Sequence, residues 1–224
     1  MDLNGKKVLV FGSGISGEAA AVLLNRKGAY VVLYDGNEKL DAEKIKEKMP
    51  ENVRVVLGAF PEKLLDGLDL TVMSPGVPTD LPIVEKMKEK GIPVWGEIEL
   101  AYVCSKGDVL AITGTNGKTT TTSLLGQIMK SYKDSVFVVG NIGNPYTSIV
   151  PETKEDTVIV AEMSSFQLET VHSFRPRVSA ILNITPDHLN RHHTMDAYIA
   201  AKERIAENQT PEDFCVLNYE DSVL

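Results

Sequence analysis

Val109-Leu110-Ala111-Ile112-Thr113-Gly114-Thr115-Asn116-Gly117-Lys118-Thr119-Thr120 is the stretch on which the fold turns. A short apolar run that ends in a glycine-rich segment reads as a buried strand. The pattern that follows predicts a helix to about Lys130. Strand, glycine loop and helix in that order form a phosphate cradle, because small residues let backbone N–H groups close on an anion at a helix N-terminus. Lys118 suits the β/γ oxygens of a nucleoside triphosphate and the Thr119 hydroxyl suits its magnesium ion. The strict pattern has a glycine five residues before Gly117, where this chain has Ile112, so the loop is a shortened form. A Thr- and Gly-rich surface turn is the bland alternative.

Upstream, Gly12-Ser13-Gly14-Ile15-Ser16-Gly17 stands between the apolar run Val8–Phe11 and a helical pattern from Ser16 to Lys27. Asp35 ends the next apolar run, Tyr30–Tyr34, eighteen residues after Gly17. The arrangement satisfies a dinucleotide fingerprint with an acidic ribose partner. It suits NAD, and it suits equally a UDP-sugar, since the turn specifies only a diphosphate. A turn that merely allows close packing of helix on strand is the third reading.

Around these loops, strand and helix patterns alternate. Further strands are expected at 70–73, 92–95, 136–139, 158–160, 178–182 and 214–217, and helices at 39–49, 83–90 and from a Thr194 cap to about Asn208. Such alternation implies parallel βαβ units. The fold expected is α/β: a Rossmann-like parallel-sheet domain over residues 1–94, then a phosphate-loop α/β domain over 95–224. Because a strand pattern stands so near Leu224, the second domain is expected to continue past it.

Composition narrows the functional classes. The 224 residues carry a net charge of −8, with 43% hydrophobic and 24% charged residues, as in globular proteins. An acidic chain is a poor partner for nucleic acid or an anionic membrane. Two distant cysteines, Cys104 and Cys215, make neither a disulfide framework nor a zinc spacing. No secretory leader or membrane span is read, so a cytoplasmic monomer is expected.

Other candidates lie at strand ends. Glu162 closes the run Val158–Ala161; a carboxylate there faces the ligand crevice and suits magnesium, or is an ordinary strand-end acid. His188 lies past the strand at 178–182, at the same expected edge; alone it is as readily a surface residue. Lys202 falls on the last predicted helix, where lysines are usually solvated. Asn141 follows Gly140 and holds either a ligand oxygen or a turn.

Taken together, Thr113–Thr120, Ser74-Pro75-Gly76-Val77, Gly140-Asn141-Ile142-Gly143, Glu162–Glu169 and Leu182–His188 resemble the Mur ligase family, which builds the peptide stem of the bacterial cell-wall precursor. The likeness spans essentially the whole chain, and Ser164-Ser165-Phe166-Gln167-Leu168-Glu169 points to the branch that adds D-glutamate. The resemblance implies an ATP- and magnesium-dependent ligase joining D-glutamate to UDP-N-acetylmuramoyl-L-alanine through an acyl phosphate. It assigns Gly114, Thr115, Asn116, Gly117, Lys118, Thr119 and Thr120 to ATP. Thr119, Glu162, His188 and a carbamylated Lys202 go to the metal, with Lys118, His188, Lys202 and Asn141 in catalysis. Gly14, Ile15, Ser16, Asp35, Ser74, Gly76, Asn141 and Ser164 are implied around the UDP-linked substrate. Gly36 and Asn37 follow Asp35 where the family often has Thr-Arg, which removes an arginine contact to the uridine. The family also carries a C-terminal domain that binds the incoming amino acid, so this chain is expected to be a piece of a longer enzyme and inactive alone. An NAD-dependent oxidoreductase and a non-catalytic nucleotide-binding module are the rival readings.

Overall fold

A computed structural model describes residues 2–224. In the first half the chain runs β1 (Lys7–Phe11), α1 (Ile15–Arg26), β2 (Tyr30–Asp35), α2 (Ala42–Lys48), β3 (Arg54–Leu57), β4 (Leu70–Met73), α3 (Pro82–Glu89), β5 (Val94–Gly96) and α4 (Glu97–Cys104). The second half follows with β6 (Asp108–Thr113), α5 (Lys118–Lys130), β7 (Val136–Gly140), α6 (Tyr146–Ile149), β8 (Val158–Glu162), α7 (Ser165–Leu168), β9 (Val178–Ile181), α8 (Leu189–His192), α9 (Met195–Glu203) and β10 (Phe214–Leu217). The strands form two five-stranded sheets, ordered β3-β2-β1-β4-β5 and β10-β9-β6-β8-β7. Every recorded strand pair is parallel, as the α/β reading requires.

Both sheets reverse direction of growth at the strand that leads into a glycine loop. From β1 the chain adds β2 and β3 on one side, then β4 and β5 on the other; from β6 it adds β8 and β7 on one side and β9 and β10 on the other. Parallel strands deliver all their carboxyl ends to one edge, and a crevice opens where the order reverses. Each crevice is stitched across. Ser74 N–H donates to Phe11 O (2.9 Å) and its hydroxyl to Gly12 O (3.0 Å). Leu182 N–H donates to Thr113 O (3.0 Å) and Thr115 N–H to Asn183 O (2.8 Å).

One apolar core runs unbroken through both sheets. It joins Val10, Leu24, Leu33 and Val72 to Val139, Ala161, Met163 and Phe174, and Ile98, Leu100 and Ala101 of α4 lie within it. Each fully buried aliphatic side chain contributes about 1.5–3 kcal/mol, so α4 fixes one sheet against the other. The sequence pattern shows no helix here. The reason is physical: Glu97 through Ala101 are all buried, leaving no polar face for a helical stripe to show against. Two of these residues are glutamates with dedicated partners. Glu99 accepts N–H bonds from His172, Ser173 and Phe174 at 2.9, 2.7 and 3.1 Å. Glu97 Oε1 accepts from the Thr147 N–H (2.6 Å) and hydroxyl (2.7 Å); its Oε2 has no partner among the described residues, and burial pushes its carboxyl above the ordinary range, towards the protonated form.

Strand β3 and the four-residue helices α6, α7 and α8 are too short to show a period in the sequence. The Thr194 cap is present: its hydroxyl accepts from Ala197 N–H at 3.1 Å, and α9 continues as a 3-10 turn to Ala206. Among the described residues no helix is long and apolar enough to cross a membrane.

The outer face of α5 leaves an apolar groove of about 450 Å³ against β6 and β9, lined by Leu110, Ile112, Leu124, Leu125, Ile128 and Val216. Leu124 is 60% exposed and Ile128 46%. The double substitution Leu124→Lys, Ile128→Lys is therefore expected to lower the fluorescence of a bound apolar dye such as ANS by roughly half or more, with a thermal midpoint within about 3 °C of the parent. Unchanged dye fluorescence would place the apolar surface elsewhere.

Candidate functional site

A cleft of about 540 Å³ opens between the two sheets at their carboxyl edges. One wall is the first glycine loop and the turn after β4: Gly12, Gly14, Ile15, Ser16, Asp35 and Ser74 to Val77. The other comes from the second half: Gly140, Asn141, Gly143, Pro145 and Gln167. Gly14 caps α1 without a side-chain hydrogen bond, which leaves the leading N–H groups of the helix open to an anion. Gly17 is obligatory here, because a Cβ would overlap the Gly12 carbonyl oxygen.

Asp35 lines the cleft and also shapes the loop. Its Oδ2 accepts from Ser13 N–H (2.8 Å) and hydroxyl (2.9 Å), and its Oδ1 from Asn37 N–H (3.0 Å). Seven of the candidate substrate residues, Gly14, Ile15, Ser16, Asp35, Ser74, Gly76 and Asn141, line this one cleft. Ser164 caps α7 in a reciprocal box with Gln167: Gln167 Oε1 accepts from Ser164 N–H and hydroxyl at 2.9 Å. The residue of that run lining the cleft is Gln167, which sequence analysis left without a role. Its spacing of three from Ser164, a capping-box signature, was the available signal.

The second glycine loop lies beside it. Gly117 takes a left-handed backbone (φ 84°) to turn the chain into α5, which again has no side-chain cap. Asn183 clamps this loop. Its Oδ1 accepts from Asn116 N–H (2.9 Å) and its Nδ2 donates to Asn116 O (3.0 Å). The Thr115 hydroxyl bonds Thr185 O and the Tyr198 hydroxyl, each at 3.1 Å. Lys118 folds back, Nζ donating to Gly114 O (3.0 Å) and Thr115 O (2.9 Å).

Glu162 links loop and cleft. It stands in register with Ile112 on one side and Gly140 on the other, level with the start of the phosphate loop. It is 1% exposed. Asn141, a cleft residue, donates from Nδ2 to Glu162 Oε1 at 2.8 Å, while Oε2 has no hydrogen-bond partner among the described residues. An orphaned buried carboxylate oxygen is costly unless a cation or donor meets it. That is a chemical fit for magnesium, which prefers oxygen ligands.

The remaining candidates for the metal are arranged less simply. Among the described residues no three His, Cys, Asp or Glu side chains gather as a ligand set. His188 stands 49% exposed in a left-handed turn (φ 52°), its Nε2 3.5 Å from Asp187 Oδ2. Thr119 is exposed at the first turn of α5. Lys202, read from sequence as an ordinary helix lysine before the resemblance, is 1% exposed. Its Nζ donates to Gly114 O at 2.7 Å and lies 4.7 Å from the Tyr198 ring. Burial and then the Lys118 cation push its ammonium down to about 7, against the opposing pull of Asp187.

Two family models cover the chain. One, described as Mur ligase MurD-like, N-terminal domain, matches residues 6–96, and the other, described as Mur ligase middle domain, matches 112–224. The chain belongs to the Mur ligase family. The UDP-N-acetylmuramoylalanine--D-glutamate ligases of Lachnospira eligens and Lachnoclostridium phytofermentans are 64% and 60% identical to it over 100% of this chain and 50% of theirs. This Mur ligase chain thus spans about half the length of the curated relatives it matches. The fold is shared with the UDP-N-acetylmuramate:L-alanyl-gamma-D-glutamyl-meso-diaminopimelate ligase of Neisseria meningitides, with a TM-score of 0.63 at 17% identity over 98% of this chain and 73% of that one.

The Lys202 environment generates a pH dependence. The folded state favours the neutral amine, so between about pH 7 and the ordinary lysine range the unfolded chain holds the extra proton. Stability then rises with pH through that window. Relative to Lys202→Met, the parent is expected to gain up to about 1.4 kcal/mol per pH unit between pH 7.5 and 9.5. Denaturant titrations that run parallel for the two proteins would show that Lys202 keeps its proton.

Proposed function

We propose that the chain carries the acceptor-nucleotide site and the ATP phosphate site of a ligase that joins D-glutamate to UDP-N-acetylmuramoyl-L-alanine in the cytoplasm. The observation that carries this reading is the Asn141–Glu162 hydrogen bond, which connects the cleft to a carboxylate in register with the phosphate loop. An acceptor carboxylate lying in the cleft would meet the γ-phosphoryl group there.

In this reading the α1 N-terminus, with Gly14, Ile15 and Ser16, receives the UDP diphosphate. Asp35, Ser74 and Gly76 surround the uridine, and Asn141 and Ser164 take the acyl end of the substrate. Gly114 to Thr120 hold the ATP phosphates. Lys118 exchanges its two carbonyl partners for the β/γ oxygens, placing a cation where charge moves during transfer. Glu162, Thr119 and His188 would hold Mg²⁺, which neutralises phosphate charge when bound. Lys202 completes the set only if its charge is reversed. A neutral amine adds CO₂ and releases one proton to become a carbamate, and a lysine poised near neutrality is suited to that reaction. The acceptor carboxylate attacks the γ-phosphorus of ATP, the bond to the β-phosphate breaks to release ADP, and an acyl phosphate forms. The neutral amine of D-glutamate then attacks the carbonyl, phosphate leaves, and the nitrogen gives up one proton to the phosphate or solvent as the amide forms. The chain's share is holding the reactants in line and away from water.

Calorimetric titration of this chain tests the reading. UDP-N-acetylmuramoyl-L-alanine is expected to bind at least about tenfold more tightly than NAD⁺, a difference of about 1.4 kcal/mol. NAD⁺ bound with no uptake of the UDP-sugar would contradict it. In the same experiment Lys118→Ala is expected to weaken ATP by about tenfold or more, since a charge-assisted contact to phosphate is lost.

A further inference from the structure

We propose that Arg191, held by Glu169, is a positioning residue that fixes the loop from Ser74 to Val77 for the uridine nucleotide and ties it to the turn carrying His188. The inference rests on the reading of the cleft as a UDP site. Arg191 lies on α8, in the second half of the chain, and reaches across to the first. Its Nη1 donates to Pro75 O and its Nη2 to Val77 O, both at 3.1 Å, so the two carbonyls flanking Gly76 are gripped by one guanidinium. Pro75, Gly76 and Val77 all line the cleft.

The guanidinium is itself fixed on two sides. Nη2 also donates to Glu169 Oε2 at 3.0 Å, and the Thr79 hydroxyl of the first half donates to the same oxygen at 3.2 Å. The Arg191 and Glu169 side chains are each 16% exposed. The guanidinium carbon lies 4.3 Å from the centre of the Phe166 ring, which also meets the His188 ring at 4.9 Å and stacks on the His192 ring at 5.4 Å. A planar fork of five donors can bridge two carbonyls and a carboxylate while stacking on an aromatic ring; an ammonium cannot reproduce that geometry.

The backbone supplies a further reason. His188 and His193, just before and just after α8, are the non-glycine residues with positive φ among the described residues, at 52° and 65°. Such conformations persist only where the surroundings hold them. Arg191 sits inside that strained turn and anchors it to the opposite wall of the cleft. Without the anchor, both the Gly76 loop and the His188 turn have to be ordered by the ligand, and ordering weakens binding.

The test titrates this chain and its variants with UDP as the probe and records thermal unfolding alongside. Arg191→Ala is expected to raise the UDP dissociation constant about tenfold. Arg191→Lys keeps the charge next to Glu169 but not the fork, and is expected to fall between parent and Arg191→Ala. If Arg191→Ala does not fold, Glu169→Gln stands in for it, with an expected loss of about threefold. A lowered thermal midpoint with UDP affinity unchanged in the folded variants would mean that Arg191 serves stability alone, and the proposal falls. Absence of UDP binding in the parent chain overturns the reading of the cleft and this proposal with it.

Discussion

The arrangement depends on a buried carboxylate at the carboxyl edge of the second sheet, with half of its hydrogen bonding left undone. Glu162 ends β8, and parallel register places it between Ile112, at the foot of the phosphate loop, and Gly140, at the foot of the cleft wall. Asn141 satisfies one oxygen and nothing among the described residues satisfies the other. A fold that only had to be stable would gain by filling that position with an apolar side chain. Its retention beside a cradle for phosphate is what gives the site a chemical direction, because a cation brought by a nucleotide would meet the open oxygen.

Two features keep that carboxylate in place. Each glycine loop follows the strand at which its sheet changes direction, so these turns arise from topology as much as from glycine content. The sheets are then locked together by α4, whose apolar residues belong to a core common to both halves and whose glutamates bind segments of the second half. The cleft between the sheets is therefore bounded by elements with a fixed mutual position, and Arg191 adds a polar tie across its rim.

Much of this was legible in the sequence. The strands β1, β2, β4, β6, β7, β8, β9 and β10 stand on short, mainly apolar runs; inside a sheet, as at β4 and β8, every residue is buried and parallel strands covered on both faces need such runs, whereas β10 at the edge is exposed along its length. The glycine loops announced themselves by spacing. What could not be seen followed from burial. Helix α4 has no polar face, so periodicity is blind to it. Lys202 reads as a surface lysine on an ordinary helix, and only its placement under Gly114 O makes it a buried amine. Arg191 and Asn183 act through partners more than sixty residues away in sequence, a distance at which no local pattern carries information. Asp35 is expected from the sequence as a ribose partner; in the structure its Oδ2 holds Ser13 of the glycine loop and its Oδ1 the Asn37 N–H of its own turn.

The central claim is that the two glycine loops serve different nucleotides and meet at Asn141 and Glu162. Backbone hydrogen–deuterium exchange, with one ligand added at a time, measures this directly. UDP-N-acetylmuramoyl-L-alanine alone should slow exchange in residues 12–17, 74–77 and 140–143 and leave 114–120 unchanged, while ATP with magnesium should slow 114–120 and leave 12–17 unchanged. Protection of both loops by the same single nucleotide, or protection of 12–17 by ATP, would contradict the account.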